Sequence, residues 1–139
     1  NGKLKNYYIS LAKKYNLIDR FRIIDWQKNV SEIYNAADIL VCSSRIEPLG
    51  NIILEGWAHK IPVIASDIMG PGKLIDNKMN GLKFSLEDSE QLLGCLKKIS
   101  EDEELRNKIV KNGYAEYLNN FSKEKVMKKF LNFFNIIKK

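Results

Sequence analysis

The segment "SSRIEPLGNIILEGWAHKIPVIAS", residues 43 to 66, combines two glutamates with a helical and an extended sequence pattern. It places Glu47 before a Pro and a Gly, and Glu55 inside an apolar run. The apolar run predicts a helix over 49–60, and the Ile-Pro-Val-Ile-Ala stretch that follows predicts a buried strand over 61–65. One carboxylate therefore precedes a helix and a second lies about two turns inside it.

The flanking sequence alternates helical and extended patterns as far as about Phe84. Its apolar runs are continuous, which is typical of a parallel sheet covered on both faces. The predicted fold class is α/β, a Rossmann-like doubly wound parallel sheet. The expected elements are helices over 7–15 and 31–37, a helical turn over 70–76, and strands over 21–24, 38–42 and 82–84.

The two ends of the chain differ from this alternating pattern. After Phe84 the periodicity is helical throughout, with predicted helices over 89–100, 103–119 and 123–138. At the other end the chain passes from Asn1-Gly2 directly into a helix, although a doubly wound sheet would place a strand there. We therefore expect residues 1–139 to form one domain that is truncated at its N-terminus and lacks its first strand.

Composition narrows the possible function classes. The formal charge of +6 comes from Lys and Arg residues spread along the chain, which favours ordinary solubility over nucleic-acid binding. Cys42 and Cys95 are isolated and indicate a reduced compartment without disulfides. The sequence shows neither a secretory leader nor an apolar run of about 18 residues. We expect a cytoplasmic protein.

The loop after the strand predicted over 38–42 lies where ligands bind in open α/β sheets, beyond the carboxyl end of a strand. Pro48 suits the first turn of a helix, because its missing N–H would have no partner there. The amides of Leu49, Gly50 and Asn51 would then point outward, and Gly50 would allow a bulky anion to approach the backbone. These residues predict a phosphate-binding site.

The two glutamates extend this site along the helix. At about 1.5 Å per residue, Glu55 lies roughly 10 Å from the Pro48 end. A nucleotide-sugar along the helix would place its diphosphate at the N-terminus, its sugar near Glu47 and its ribose near Glu55, since carboxylates accept paired hydroxyl groups. Either glutamate alone is more often simply solvated. Glu55, however, stands among apolar residues, where a carboxylate usually needs a partner.

The stretch "SSRIEPLGNIILEGWAHKIPVIASDIMGPGKLI" resembles the signature of the retaining GT-B glycosyltransferases of family 4, the glycosyl transferases group 1. In that family, seven residues separate the two glutamates, as in Glu47 and Glu55. The flanking segments "YNLIDRFRIIDWQKNVSEIYNAADILVCSS" and "NKMNGLKFSLEDSEQLLGCLKKI" are similar to those around the family motif. The residues around Glu47 and Trp57 are similar to bacterial members that build lipopolysaccharide or other surface glycans.

This resemblance implies that the chain is the C-terminal, donor-binding half of a two-domain enzyme. It would transfer a sugar from a nucleotide-sugar to a glycan or lipid-linked acceptor, with retention and without a metal or other cofactor. The missing N-terminal domain would bind the acceptor and supply a catalytic His, so the isolated chain is expected to be inactive. The implied residues are Glu47 in catalysis, Glu47, Pro48, Leu49, Gly50 and Asn51 for the sugar and diphosphate, Glu55 for the ribose, and Asp25, Trp26 and Gln27 beside the base.

Two positions depart from the family pattern. Asp25 stands where the family usually has Gly, and Lys73 stands where an acidic residue is common. Lys73 would add positive charge near the phosphates or be solvated, and we favour solvation.

Other candidate residues are weaker. His59 is not expected to be catalytic, and Gly70-Pro71-Gly72 lacks the Lys-Ser/Thr ending of a P-loop. Arg45 would either contact a phosphate or be an ordinary surface residue. No metal-ligand spacing is present. Two alternatives to a glycosyltransferase remain, a nucleotide-sugar epimerase half and a non-catalytic nucleotide-binding module.

The last predicted helix combines a wide apolar arc with lysines, so it would also suit an anionic membrane surface. In the family the final helix packs towards the N-terminal domain. We therefore expect Phe130 and Phe134 to pack against protein in the whole enzyme and to be partly exposed in this chain, with peripheral contact at the inner face of a membrane as the alternative.

Overall fold

The computed structural model describes residues 2–137. The chain divides into two compact units, Asn1–Val30 and Ser31–Lys139. The first unit contains helix α1 (Lys5–Lys14) and a 3-10 helix (Ile18–Arg20). The second contains, in chain order, α2 (Ser31–Asn35), β1 (Leu40–Cys42), α3 (Asn51–Ala58), β2 (Val63–Ser66), α4 (Pro71–Leu74), β3 (Leu82–Phe84), α5 (Ser89–Glu101), α6 (Glu103–Glu116), a π-helical segment (Tyr117–Phe121) and α7 (Lys123–Ile137).

The three strands form a parallel sheet in the order β1-β2-β3. In its register Val41 lies opposite Ile64, and Ile64 lies opposite Leu82. Parallel neighbours need crossover connections, which α3 and α4 provide along the chain. The predicted α/β class and its parallel, Rossmann-like sheet are confirmed.

Apolar side chains cover both faces of the sheet. On one face, Val63 and Ala65 of β2 pack with residues of α3, including Trp57. On the other, Ile64 of β2 packs with Ile99 of α5 and Ile109 of α6. Successive side chains of a strand point to opposite faces, so β2, buried at every position, contributes to both clusters. This explains why its sequence is continuously apolar.

Trp57 connects α3 to the C-terminal half of the second unit. Its indole Nε1–H donates to the carbonyl of Asn80 at 2.9 Å, and its ring is 1% exposed. Gly113 of α6 lies directly on this ring, where a Cβ atom would overlap it. The α3 helix is thereby held between the sheet, the loop before β3 and α6.

The strand predicted over 21–24 is wrong. Residues 21–27 belong to no helix or strand, and Ile23 and Ile24 are substantially exposed. A strand requires a partner for its backbone hydrogen bonds. Within the described part of the first unit, the ordered elements are α1 and the 3-10 helix, and neither offers a strand edge.

The helix predicted over 103–119 is divided. Helix α6 ends at Glu116 and continues as the π-helical segment Tyr117–Phe121. Asp102 caps the start of α6, because its Oδ1 accepts a hydrogen bond from the amide of Leu105 at 2.9 Å.

The last helix, α7, has no buried residue among those described. Phe130 and Phe134 are 56% and 55% exposed, which confirms the partial exposure predicted for this chain. Lys138, the predicted final residue of the helix, lies outside the described residues. Within residues 2–137, the helices are too short or too polar to cross a membrane. Cys42 is buried and Cys95 half-buried, and both are free thiols.

Candidate functional site

The loop that follows β1 is anchored where it leaves the sheet. Ser66, fully buried at the end of β2, donates its hydroxyl hydrogen to the carbonyl of Ser44 at 2.7 Å. The carbonyl of Cys42 lies 3.4 Å from the same hydroxyl. A buried hydroxyl that is hydrogen-bonded in this way fixes the direction in which the loop departs. Residues 43–50 therefore start from a defined position at the carboxyl end of the sheet.

Glu47 is half-buried in this loop and folds back on the start of α3. Its Oε1 accepts a hydrogen bond from the Gly50 amide at 3.1 Å. Gly50 has φ +75° and ψ +31°, a left-handed conformation that a non-glycine residue adopts only with strain. Because this conformation interrupts the helix, α3 begins at Asn51 and the prediction that Pro48 occupies its first turn is wrong.

The N-terminus of α3 retains unpaired backbone donors. The Ile53 amide donates to the Gly50 carbonyl at 2.9 Å, and the Gly50 amide is engaged by Glu47. Among the residues that the structure describes, none accepts a hydrogen bond from the amides of Asn51 or Ile52. These donors lie at the positive end of the helix dipole, an arrangement that favours an anion.

A second loop, after β2, lies against the Glu47 loop. Gly70 has φ +87°, and a Cβ atom there would overlap the carbonyl oxygen of Glu47. At Gly50, a Cβ atom would lie 2.9 Å from Leu74 Cδ1 and 3.3 Å from the Pro71 nitrogen. The two loops thus meet backbone to backbone, through glycines at both contact points.

The two loops enclose a cavity of about 230 Å³. Its lining is mostly apolar, with Glu47 as the acidic side chain. Arg45, also part of the lining, pairs through Nε with the Glu87 carboxylate at 2.8 Å, and both side chains are exposed. Arg45 therefore has a partner in solvent, and its proximity to the cavity alone assigns it no role. The lining residues are Arg45, Ile46, Glu47, Pro48, Ile68 and Met69.

Glu55 lies on the exposed face of α3, so the expectation that it is embedded among apolar residues is wrong. Residues of a helix point about 100° apart, and the buried Ile53 and Trp57 face the sheet while Glu55 faces outward. The partner expected for its carboxylate is nevertheless present. The hydroxyl of Tyr34, on α2, donates to Glu55 Oε2 at 2.5 Å.

Tyr34 was not identified from the sequence. It lies 21 positions before Glu55, and an aromatic residue in a short helix ahead of a strand is usually core. Burial and the hydrogen bond to the Glu55 carboxylate raise the pKa of the Tyr34 hydroxyl well above its ordinary value. The phenol therefore keeps its proton and remains a donor to Glu55 at physiological pH.

His59 completes this group at the C-terminal end of α3. Its ring is stacked on the Tyr34 ring, with centroids 4.9 Å apart and planes inclined by 25°. Its Nδ1 lies 2.8 Å from the Glu55 carbonyl oxygen. A carbonyl only accepts, so Nδ1 carries the hydrogen. Tyr34, Glu55 and His59 form one contiguous cluster on the exposed side of the helix.

Asp25, Trp26 and Gln27 belong to the first unit. The Lys5 ammonium lies 3.4 Å from Asp25 Oδ1, and the Gln27 side-chain amide donates to the Asp25 carbonyl at 3.2 Å. Trp26 is 85% exposed. A cavity of about 310 Å³ in this unit is lined partly by Asp25 and Trp26. Their position beside a base stays a prediction.

The remaining candidates carry no site of their own. Lys73 is exposed on α4, and Pro71 forms the first residue of that helix after Gly70. Between Gly2 and Ile137, no cluster of three or more His, Cys, Asp or Glu side chains is arranged to hold a metal ion.

Comparison with known proteins gives consistent results. The family model for glycosyl transferases group 1 matches residues 1–116. The lipopolysaccharide core biosynthesis glycosyltransferase LpsE of Rhizobium meliloti is 30% identical over 94% of this chain and 38% of its own length. The chain thus spans less than half of this curated relative.

Two solved structures show the same fold. One is the C-terminal domain of LpcC, a group 1 family glycosyl transferase from Francisella tularensis, with a TM-score of 0.77 and 26% identity over 88% of this chain and 66% of that one. The other is HepE from Anabaena in complex with UDP-glucose, with a TM-score of 0.87 and 19% identity over 94% of this chain and 36% of that one. At that identity HepE demonstrates the fold alone. The chain belongs to the glycosyl transferases group 1 family.

Proposed function

We propose that this chain is the donor-binding half of a retaining glycosyltransferase. The enzyme transfers a hexose-type sugar from a nucleotide-sugar to a glycan or lipid-linked acceptor of a bacterial surface. The observation that carries the proposal is the arrangement of Glu47 and Glu55 about the N-terminus of α3, with unpaired amides between them.

The diphosphate of the donor is assigned to the N-terminus of α3. The helix dipole favours a doubly charged group at this N-terminus. The amides of Asn51 and Ile52 and the backbone at Leu49, which is open to solvent, could bind such a group. The Gly50 amide already holds Glu47 Oε1, so its contribution is to orient that carboxylate. This assignment differs from the sequence-based one by adding Ile52 and by giving Gly50 an indirect role.

The two carboxylates are assigned to the two sugars of the donor. Glu47 faces the cavity between the loops, and its Oε2 would accept hydroxyl hydrogens of the transferred sugar. Glu55 lies four residues after Asn51, which is about 6 Å along the helix at about 1.5 Å per residue. This spacing suits a ribose on the far side of a diphosphate.

The contribution of this half to catalysis is electrostatic. Charge develops on the leaving diphosphate during transfer, and preorganised amides at a helix terminus stabilise it without reorganisation. Glu47 holds the transferred sugar in position for reaction. The proposal includes no metal and no other cofactor.

Acceptor binding is assigned to the rest of a longer protein, because the chain covers 38% of LpsE, which acts in lipopolysaccharide core biosynthesis by its name. We place the enzyme in the cytoplasm, where nucleotide-sugars serve as donors, with peripheral contact to the inner face of the membrane as the alternative. The isolated chain is proposed to bind donor without transferring sugar. Transfer by the 139-residue chain to any acceptor, detected by mass spectrometry, would refute that part.

Titration separates the two carboxylate roles. The 139-residue chain is titrated with UDP, GDP and ADP, and with UDP-glucose, GDP-mannose and ADP-glucose, while amide NMR shifts are followed. We expect one nucleotide to perturb Gly50, Asn51 and Glu55. Glu55→Gln should weaken binding of the free nucleotide and its sugar conjugate about tenfold, whereas Glu47→Gln should weaken the conjugate alone.

Glu104→Gln, an exposed change at the start of α6, is the matched control and should leave both affinities unchanged. If none of the nucleotides shifts any resonance at the start of α3, the donor-binding proposal fails.

A further inference from the structure

The exposed side of α3 carries a closed group of three side chains around Glu55. Tyr34 donates to Glu55 Oε2, the His59 ring stacks on Tyr34, and His59 Nδ1 is bonded back to the Glu55 carbonyl. Tyr34 and His59 are half-buried, while Glu55 is exposed. Glu55 lies on α3, whereas Tyr34, which donates to its carboxylate, lies on α2.

We propose that Tyr34 is a positioning residue for Glu55, that His59 holds Tyr34 in place, and that this pair sets the preference of the site for ribose over 2′-deoxyribose. The proposal rests on the function proposed above, in which Glu55 binds the ribose. Neither Tyr34 nor His59 touches the nucleotide in this scheme. They act only through the geometry of the Glu55 carboxylate.

The need for positioning follows from the exposure of Glu55. A glutamate on a solvent-facing helix surface distributes over several rotamers, and ordering it upon ligand binding costs conformational entropy. A donor at 2.5 Å on Oε2 restricts the carboxylate before the ligand arrives. Preorganisation of this kind improves affinity without adding a contact. Oε1 is then directed to the ribose hydroxyls.

His59 supplies the corresponding restraint on Tyr34. Its Nδ1–H is bonded to the backbone of the preceding helical turn, so the imidazole has a fixed orientation. The phenol ring of Tyr34 stacks on this imidazole ring, with the two ring centroids 4.9 Å apart. Stacking against a fixed ring limits rotation of the phenol about its own side-chain bonds. The Tyr34 hydroxyl is therefore held in the position from which it donates to Glu55.

The test compares each ribonucleoside diphosphate, UDP, GDP or ADP, with its 2′-deoxy counterpart by isothermal titration calorimetry on the 139-residue chain. We expect the wild-type chain to prefer the ribose form of its nucleotide about tenfold, because the deoxy form lacks the 2′-hydroxyl that Glu55 would bind. Tyr34→Phe should weaken the ribose form about fivefold and the deoxy form less, so the preference falls. His59→Ala should act in the same direction more weakly.

A double-mutant cycle shows whether Tyr34 acts through Glu55. In the Glu55→Gln background, Tyr34→Phe should cause no further loss of affinity. Tyr114→Phe is the matched control, since it removes a hydroxyl from another half-buried tyrosine, whose ring faces the Lys60 ammonium. It should leave the ribose preference unchanged. Circular dichroism confirms that each variant is folded.

Three results would overturn the proposal. Equal weakening of both forms by Tyr34→Phe would show a merely structural tyrosine. Binding without a ribose preference in the wild-type chain would refute the role of this cluster while leaving donor binding intact. Absence of binding by any nucleotide would remove the proposed function and this inference together.

Discussion

Glu47 and Gly70 are in direct backbone contact across the two loops at the carboxyl end of the sheet. The space where a Cβ atom of Gly70 would lie is occupied by the carbonyl oxygen of Glu47, and further Pro48 backbone atoms lie 3.1 Å away. Gly70 also has φ +87°, outside the range of ordinary side-chain-bearing residues. The position of the Glu47 carboxylate therefore depends on the absence of a side chain 23 residues further along the chain.

Gly70→Ala is expected to displace the Glu47 loop. The new methyl group meets rigid backbone, and the left-handed conformation adds strain, so we expect a loss of about 1–3 kcal/mol in the free energy of unfolding. Binding of a nucleotide-sugar should weaken as Glu47 moves. Urea denaturation and calorimetric titration measure the two effects. A variant with unchanged stability and donor affinity would contradict the contact.

Gly113→Ala and Gly94→Ala are expected to have opposite effects, although both glycines are helical. A Cβ atom at Gly94 meets nothing within 4 Å, so Ala should stabilise α5 by about 0.5–1 kcal/mol. A Cβ atom at Gly113 overlaps the Trp57 ring, and overpacking should cost about 1–3 kcal/mol. Thermal unfolding gives the sign of each change, and tryptophan fluorescence reports on Trp57. Stabilisation by Gly113→Ala would show that the ring can move aside.

Tyr34 is expected to make the folded state sensitive to alkaline pH. Its folded-state pKa lies above the unfolded value of about 10, so the folded state favours the protonated phenol. The associated stabilisation is complete below about pH 10 and is lost as the pH rises through the folded-state pKa. Tyr34→Phe should be less stable at neutral pH and should lose less stability above pH 10.

Urea denaturation over that pH range measures the effect, with Tyr34→Phe compared against the wild-type chain and Tyr114→Phe as the control for removing a hydroxyl. Parallel losses in the wild type and Tyr34→Phe above pH 10 would show that Tyr34 is not the group responsible.

The exposed arc of α7 is expected to pack against protein in the whole enzyme. Phe130 and Phe134 are more than half exposed here, and a large apolar surface on a helix normally acquires a partner. Liposome flotation of the complete enzyme, with and without the paired changes Phe130→Ser and Phe134→Ser, separates the two possible partners. We expect no flotation of either form. Salt-sensitive flotation that is lost in the folded double variant would establish membrane contact instead.

Interactions between residues close together in the sequence determined much of the secondary structure and of the candidate site. The continuous apolar runs predicted the parallel sheet, and β3 was predicted at residues 82–84, where it is found. The order of helices followed from periodicity, and the cap at Asp102 follows from residues three positions apart. The spacing of Glu47 and Glu55 indicated the family. These features depend on neighbours along the chain, so the sequence displays them directly.

Tertiary structure decided the rest, because it depends on contacts between residues distant in sequence. Gly50 takes its left-handed conformation where Leu74 and Pro71 pack against it, and so α3 starts at Asn51. Glu55 finds its partner 21 residues earlier, in Tyr34. An apolar sequence such as that over 21–24 forms a strand only where a second edge completes its hydrogen bonds. Periodicity shows which face of an element is buried, but only the folded chain determines what that face meets.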